Sequence, residues 1–226
     1  MNSADLARII EHTNVSPNAL PSDIDRLCEE ALKYNFYAVV VPPIYVNHAK
    51  NRLKGSGVKV VAVVGFPWGN NPTASKVAET RYAVKNGADE IDMVMNRSWL
   101  KSGDYRTVMR DIRAVIKAAG KRPVKVILET SDLTEEEKVE AIKIAVKAGA
   151  SHIKTSTGYG INKGGATVED VRLIRKLAGP SIGIKASGGI KRIEDAVRLV
   201  EAGATRIGTS RGVELIEQKI VEDLNY

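Results

Sequence analysis

A closed (β/α)8 barrel of the α/β class, the TIM arrangement, with a short N-terminal helix, is the fold this sequence predicts. Three observations lead there. Short β-branched runs alternate with amphipathic stretches along the whole chain. Glycine recurs at the same point of three helix-to-strand junctions, and no linker or change of composition divides the 226 residues, so residues 1–226 read as a single domain. An open doubly wound sheet is the alternative, but no G-x-G-x-x-G turn follows an early run.

In chain order, strands are expected at Ile10–Val15, Tyr37–Val41, Val58–Val64, Glu90–Val94, Val124–Leu128, His152–Lys154, Ile182–Ala186 and Arg206–Gly208. Helices are expected at Ser22–Tyr34, Tyr45–Leu53, Ser75–Asn86, Tyr105–Ala119, Thr134–Ala148, Val168–Leu177, Ile193–Glu201 and Val213–Leu224. The recurring junctions are Asn86-Gly87-Ala88-Asp89, Ala148-Gly149-Ala150-Ser151 and Ala202-Gly203-Ala204-Thr205. Each puts glycine where a helix can end in a left-handed cap.

Composition narrows the function classes. Apolar residues make up 43% of the chain, enough for a large core, yet no run of eighteen apolar residues exists. Met1-Asn2-Ser3-Ala4-Asp5 lacks the basic-then-apolar form of a signal peptide. No membrane association is therefore expected. The lone Cys28 rules out an intramolecular disulfide and fits a reducing, cytoplasmic location. The net charge is +7, but the bases are scattered, with only pairs such as Lys121-Arg122 and Lys191-Arg192. An anionic small substrate suits that pattern better than nucleic acid.

The runs also indicate which way their side chains point. Strand residues alternate with period two, so Ile91 and Met93 should face helices and leave Glu90 and Asp92 facing the lumen. The same alternation sends Lys125 and Glu129, Lys154, and Lys185 inward. Four neighbouring strands thus aim three lysines and at least one carboxylate at one space. Buried charge is costly, and buried ion pairs stabilise weakly, so such a cluster points to chemistry near the C-terminal strand ends where barrel active sites lie. Crowded ammonium groups favour loss of a proton from one of them, giving a neutral amine that can attack a carbonyl, with Asp92 as proton acceptor. Which lysine does so is left open by periodicity.

Lys185-Ala186-Ser187-Gly188-Gly189-Ile190 and Gly208-Thr209-Ser210-Arg211-Gly212 follow the seventh and eighth strands, where barrels often bind phosphate. Adjacent glycines let backbone N–H groups approach an anion. Thr155-Ser156-Thr157-Gly158 is a third candidate.

Three segments in this order, Glu90-Ile91-Asp92-Met93-Val94-Met95-Asn96, His152-Ile153-Lys154-Thr155-Ser156-Thr157-Gly158 and Gly183-Ile184-Lys185-Ala186-Ser187-Gly188-Gly189-Ile190, together with Val64-Gly65-Phe66-Pro67-Trp68-Gly69, resemble the deoxyribose-phosphate aldolase family over nearly the whole chain. The resemblance implies a class I aldolase that reversibly cleaves 2-deoxy-D-ribose 5-phosphate to D-glyceraldehyde 3-phosphate and acetaldehyde in deoxyribose catabolism. It implies that Lys154 forms the Schiff base and that Lys185 and Asp92 support proton transfer. Lys125 becomes an accessory cation of the substrate site, and Gly158, Gly188, Gly189 and Ser210 hold the phosphate. No metal or organic cofactor is implied, and a homo-oligomer, dimer or tetramer, is expected. This sequence departs from the family pattern in reading Glu11-His12-Thr13 where members often have Asp-His-Thr. It also has Val40 and Pro42-Pro43 in place of Cys and Asn-Pro, and Tyr159 where some members carry Lys. Some members use a mobile tail ending in Tyr, the residue type of Tyr226.

Three other readings remain at this point: a metal-dependent aldolase, a phosphosugar isomerase using Asp92 as base, and a non-catalytic sugar-phosphate binder. His12, His48 and His152 show no metal-ligand spacing. His12 and His152 are expected to be hydrogen-bonding groups of the lumen.

Overall fold

In the computed structural model, which describes residues 2–217, eight parallel strands close into a barrel in sequence order, the eighth pairing with the first. They are β1 (Ile10–Thr13), β2 (Ala38–Val41), β3 (Lys59–Val64), β4 (Glu90–Val94), β5 (Val124–Ile127), β6 (His152–Lys154), β7 (Gly183–Ser187) and β8 (Arg206–Thr209). The helices are α1 (Ser3–Ala7), α2 (Pro21–Tyr34), α3 (Val46–Arg52), α4 (Thr73–Lys85), α5 (Arg97–Lys101), α6 (Tyr105–Ala119), α7 (Glu135–Ala148), α8 (Val168–Ala178), α9 (Ile193–Glu201) and α10 (Gly212–Glu217). All eight expected strands are present, and so is the short N-terminal helix, closed by an Asn2–Asp5 capping box. The expected continuation of the last helix to Leu224, and Tyr226, lie outside the described residues.

Three elements went unpredicted, the short helix α5 and 3-10 turns over Pro43–Tyr45 and Thr130–Asp132. All are too short to show a periodic face. Asn96 starts α5 by accepting the Trp99 N–H.

The glycine junctions behave as expected. At Gly87, Gly149 and Gly203 φ is positive, and the next residue in each junction closes the helix: Ala88, Ala150 and Ala204 donate to the carbonyls of Ala83, Ala145 and Leu199. This is the Schellman closure, and it turns the chain directly into the next strand.

Outward strand residues, among them Val39, Ala62, Ile91, Met93, Val126, Ile153, Ile184 and Ile207, merge with the helices' inner faces in one apolar core. The lumen is divided. On the β2–β3 side Ala38, Val40, Val61 and Val63 form a separate apolar cluster. The β1 and β4–β7 side carries buried charge.

Candidate active site

Asp92, at the centre of β4, is the hub of the charged half. Its Oδ1 accepts from Lys125 Nζ at 3.0 Å, and its Oδ2 accepts from Lys154 at 2.9 Å and from Lys185 at 2.7 Å. Lys185 also pairs with Glu11, while Lys125 lies 2.5 Å from Glu90 and 3.4 Å from Glu11. Glu90 in turn accepts the Tyr37 hydroxyl at 2.5 Å. Three ammonium groups and three carboxylates therefore interleave, all buried. Glu11 was not among the residues expected in the lumen. Period two would have found it, because Ile10 packs in the outer core and leaves its neighbour facing in.

Burial alone would raise the Asp92 carboxyl, but the ammonium groups of Lys125, Lys154 and Lys185 outweigh it and hold Asp92 well below the ordinary carboxylate range. Lys125 moves the other way from an active amine: burial lowers it, yet three facing carboxylates push it above the ordinary lysine value. Lys154 is lowered to about 8. Burial is the largest cause, Asp92 opposes it, and Lys185 adds a further lowering. The neutral amine thus comes from burial first and from the neighbouring ammonium second.

Above this cluster opens a cavity of about 950 Å3 at the C-terminal strand ends. Lys154 lines it, and neither Lys125 nor Lys185 does. The expected substrate contact by Lys125 is therefore not what the structure gives. Lys125 pairs in register with His152, two residues nearer the N-terminal end than Ile127, which pairs with Lys154. Its fully buried ammonium is consumed by Glu11, Glu90 and Asp92 beneath the cavity floor.

Gly158, Gly188, Gly189 and Ser210 all line the cavity. Their backbone N–H groups make no hydrogen bond to other described residues, which leaves four donors for a ligand. Gly188 and Gly189 both have positive φ, so the β7 loop turns in a conformation that side chains disfavour. That loop is held from above by Ala166, whose N–H donates to the carbonyls of Ser187 and Gly188 at 3.1 Å. Gly165 permits the crossing, since a Cβ there would lie 2.1 Å from the Gly188 carbonyl oxygen. Sequence reasoning passed over Gly164-Gly165, whose doubled glycine was the available signal.

Glu129 does not join the lysine cluster. It lies past the end of β5, where its carboxylate accepts from the Thr157 backbone and hydroxyl. His12 also differs from expectation: it faces α2, 2.6 Å from Glu30, rather than the lumen. His152 sits beside Lys125's register position and is lowered by burial and then by Lys125. Among the described residues no group of three or more His, Cys, Asp or Glu side chains is placed to hold a metal ion, and no helix is long and apolar enough to cross a membrane.

This lysine–aspartate floor beneath a rim of unpaired N–H groups coincides with a match of residues 8–215 to the family model for DeoC/LacD family aldolases. The chain belongs to that family. Among curated proteins it is 54% identical over 221 residues to the deoxyribose-phosphate aldolase of Thermococcus gammatolerans, covering 96% of this chain and 97% of that one. It is 50% identical to the deoxyribose-phosphate aldolase of Clostridium perfringens, with full coverage of both chains. Among solved structures, the deoxyribose phosphate aldolase of Aeropyrum pernix, described as a unique tetramer, superimposes with a TM-score of 0.88 at 35% identity, covering 97% of this chain and 94% of that one. An aldolase called QR15 gives 0.90 at 40% identity, with 95% coverage of each.

Proposed function

We propose that this chain, as one catalytic domain, reversibly cleaves 2-deoxy-D-ribose 5-phosphate to D-glyceraldehyde 3-phosphate and acetaldehyde through a Schiff base on Lys154. The observation that carries the assignment is positional: Lys154 is the lumen lysine that lines the cavity, and it rests against Asp92. The relatives' names point to the same reaction.

Neutral Lys154 adds to the C1 aldehyde of the open-chain sugar, and loss of water gives an iminium. Asp92, beneath the cavity floor with Lys185 bonded to the same oxygen, takes the C3 hydroxyl proton through a water. The O–H electrons form the new C3 carbonyl, the C2–C3 bond breaks, and its electron pair moves into an enamine ending on the Lys154 nitrogen. Glyceraldehyde 3-phosphate departs with C3 to C5. Protonation of C2 and hydrolysis release acetaldehyde and restore the amine. The free N–H groups of Gly158, Gly188, Gly189 and Ser210 hold the phosphate, whose binding orients the reacting end. Lys125 acts from below, keeping Asp92 ionised.

Borohydride reduction of the enzyme with acetaldehyde should leave N-ethyl-lysine at position 154, and Lys154→Ala should lose both the adduct and turnover. Normal turnover by Lys154→Ala would overturn the assignment. Undiminished rate in excess chelator is expected; loss of rate would favour a metal-dependent reaction instead. A homo-oligomer, dimer or tetramer, is part of the reading, supported by the tetrameric Aeropyrum relative and by exposed Ile44 and Trp68 beside an apolar groove. Cytoplasmic residence accords with the buried Cys28, whose thiol burial pushes up to about 12.

A further inference from the structure

Two carboxylates of the loop after β5 hold the loop after β6, and a guanidinium lies between them. Both oxygens of Glu129 accept the Thr157 N–H, at 3.2 and 3.1 Å, and Oε2 also accepts the Thr157 hydroxyl. Thr157 Oγ in turn accepts the Tyr159 N–H at 2.9 Å. The N–H groups on either side of Gly158 are thereby committed, which leaves the Gly158 N–H unpaired at the cavity wall. Asp132 accepts from Ile161 N at 3.2 Å and Asn162 N at 2.9 Å, fixing the same loop further along. Arg97, at the start of α5, lies 3.7 Å from Glu129 and 3.7 Å from Asp132.

Glu129 keeps a left-handed backbone, φ 60 and ψ 64, without being glycine. The other such residue among those described, Asn35, caps a helix, where that geometry is ordinary. Glu129 precedes the Thr130–Asp132 3-10 turn but makes no side-chain cap to it, so the conformation is retained for what its side chain reaches across to the next loop. A carboxylate bound to the same turn that faces a phosphate would repel it unless a cation stood by, and Arg97 supplies that cation.

We propose that Glu129 and Arg97 are positioning residues for substrate selection: they lock the Thr157–Tyr159 turn so that the Gly158 N–H meets the substrate phosphate, and so set the preference for phosphorylated over unphosphorylated 2-deoxyribose. This rests on the phosphate reading above. The two acids and the arginine never touch the reacting carbons. Their effect is confined to the end of the substrate that carries the phosphate.

The test measures kcat/KM for 2-deoxyribose 5-phosphate and for 2-deoxyribose in each variant. Glu129→Gly removes the carboxylate while suiting the backbone. It should lower the ratio of the two values about tenfold or more, through KM for the phosphorylated sugar. Arg97→Met should lower the ratio as well, and Arg97→Lys should restore part of it. Thr157→Val, which keeps Glu129 but removes the Tyr159 acceptor, should act in the same direction. Borohydride trapping of acetaldehyde, which needs no phosphate, reports that each variant retains a formed lumen. An unchanged ratio, or an equal loss on both sugars, overturns the inference. Ser210→Glu separates the two levels. If it fails to raise KM for the phosphorylated sugar, the phosphate site itself is misplaced; if it raises KM while Glu129→Gly does not, only the positioning role falls.

Discussion

Lys185→Met is the perturbation that most directly tests how the lumen makes an amine reactive. With Lys154 at about 8, roughly one amine in ten is uncharged at pH 7, against on the order of one in three thousand for an ordinary lysine. Lys154 and Lys185 donate to the same Asp92 oxygen at 2.9 and 2.7 Å, which places the two ammonium groups on the order of 5 Å apart. At an effective dielectric of about 20 that separation corresponds to a repulsion of about 3 kcal/mol, an upper figure because Asp92 and Glu11 partly cancel it. Removing Lys185 also leaves Asp92 with a less divided pull on the Lys154 proton, which acts in the same direction. Burial, the larger cause of the depression, is unaffected. The Lys154 value should therefore climb by about one to two units, and the neutral fraction at pH 7 should fall by about ten- to a hundredfold.

The assay is the initial rate of borohydride trapping with saturating acetaldehyde, followed from about pH 6 to about pH 10. Trapping isolates imine formation from the later proton transfers that the proposed reaction assigns to Lys185. The acid limb should move upward by about one to two pH units in Lys185→Met, with trapping recovered in alkali. Turnover should stay depressed even there, because the proton relay through Asp92 has lost a member. A limb that remains where it stands in the parent enzyme would refute the electrostatic account, whatever happened to turnover.

Other outcomes follow from the same geometry. Lys125→Met leaves Glu90 without its buried cation and takes one from Glu11 and Asp92, and should cost about 3–5 kcal/mol in urea unfolding. Because the Lys125 value is raised on folding, that stabilisation is fully present at neutral pH and is lost only as pH climbs above the ordinary lysine range. Gly208→Ala places a Cβ 2.7 Å from Lys185 Cε, so it should lower kcat about tenfold or more as Lys185 is displaced, with KM little changed. Lys76 and Asp111 form a second buried pair at 2.7 Å between α4 and α6. Either Lys76→Met or Asp111→Leu alone should cost about 3–5 kcal/mol by thermal unfolding, and the double variant less than either.

The barrel was legible because its signals are local. Each strand carries β-branched residues on its helix side, and each glycine junction closes a helix by the same hydrogen bond to a carbonyl five residues back. Lys154, Lys185 and Asp92 were legible for a related reason, since alternation sorts inward from outward side chains. Alternation is silent about depth along the barrel axis, however. Lys125 and Lys154 both point inward, but register sets Lys125 against His152 and places it under the floor, while Lys154 reaches the cavity. The misplaced substrate contact of Lys125 comes from that blindness. Glu129 was misread because period two was carried past Ile127, where β5 ends and the backbone turns left-handed. Helix α5 and the Gly165 crossing depend on contacts between loops distant in sequence, which no periodicity encodes.

The arrangement of charge suits the proposed reaction better than it suits stability. With every group ionised, three ammonium and three carboxylate groups cancel formally, and the apolar β2–β3 wall opposite adds nothing. Lys154 has one carboxylate partner and borders the cavity, so it is the member that burial can strip of its proton; Lys125, facing three, is held charged. Once Lys154 is neutral, the cluster carries one unbalanced negative charge, centred on Asp92. An iminium on Lys154 returns the cluster to balance, whereas the uncharged carbinolamine that precedes it does not. The lumen is thus complementary to the cationic species that drains electrons from C2–C3 rather than to the free amine. As cleavage turns the iminium into a neutral enamine the excess negative charge would return, which gives Asp92 reason to accept the C3 hydroxyl proton despite the neighbours that otherwise keep it ionised. The unpaired negative charge that arises whenever the Lys154 nitrogen is neutral thus favours both iminium formation and proton transfer to Asp92.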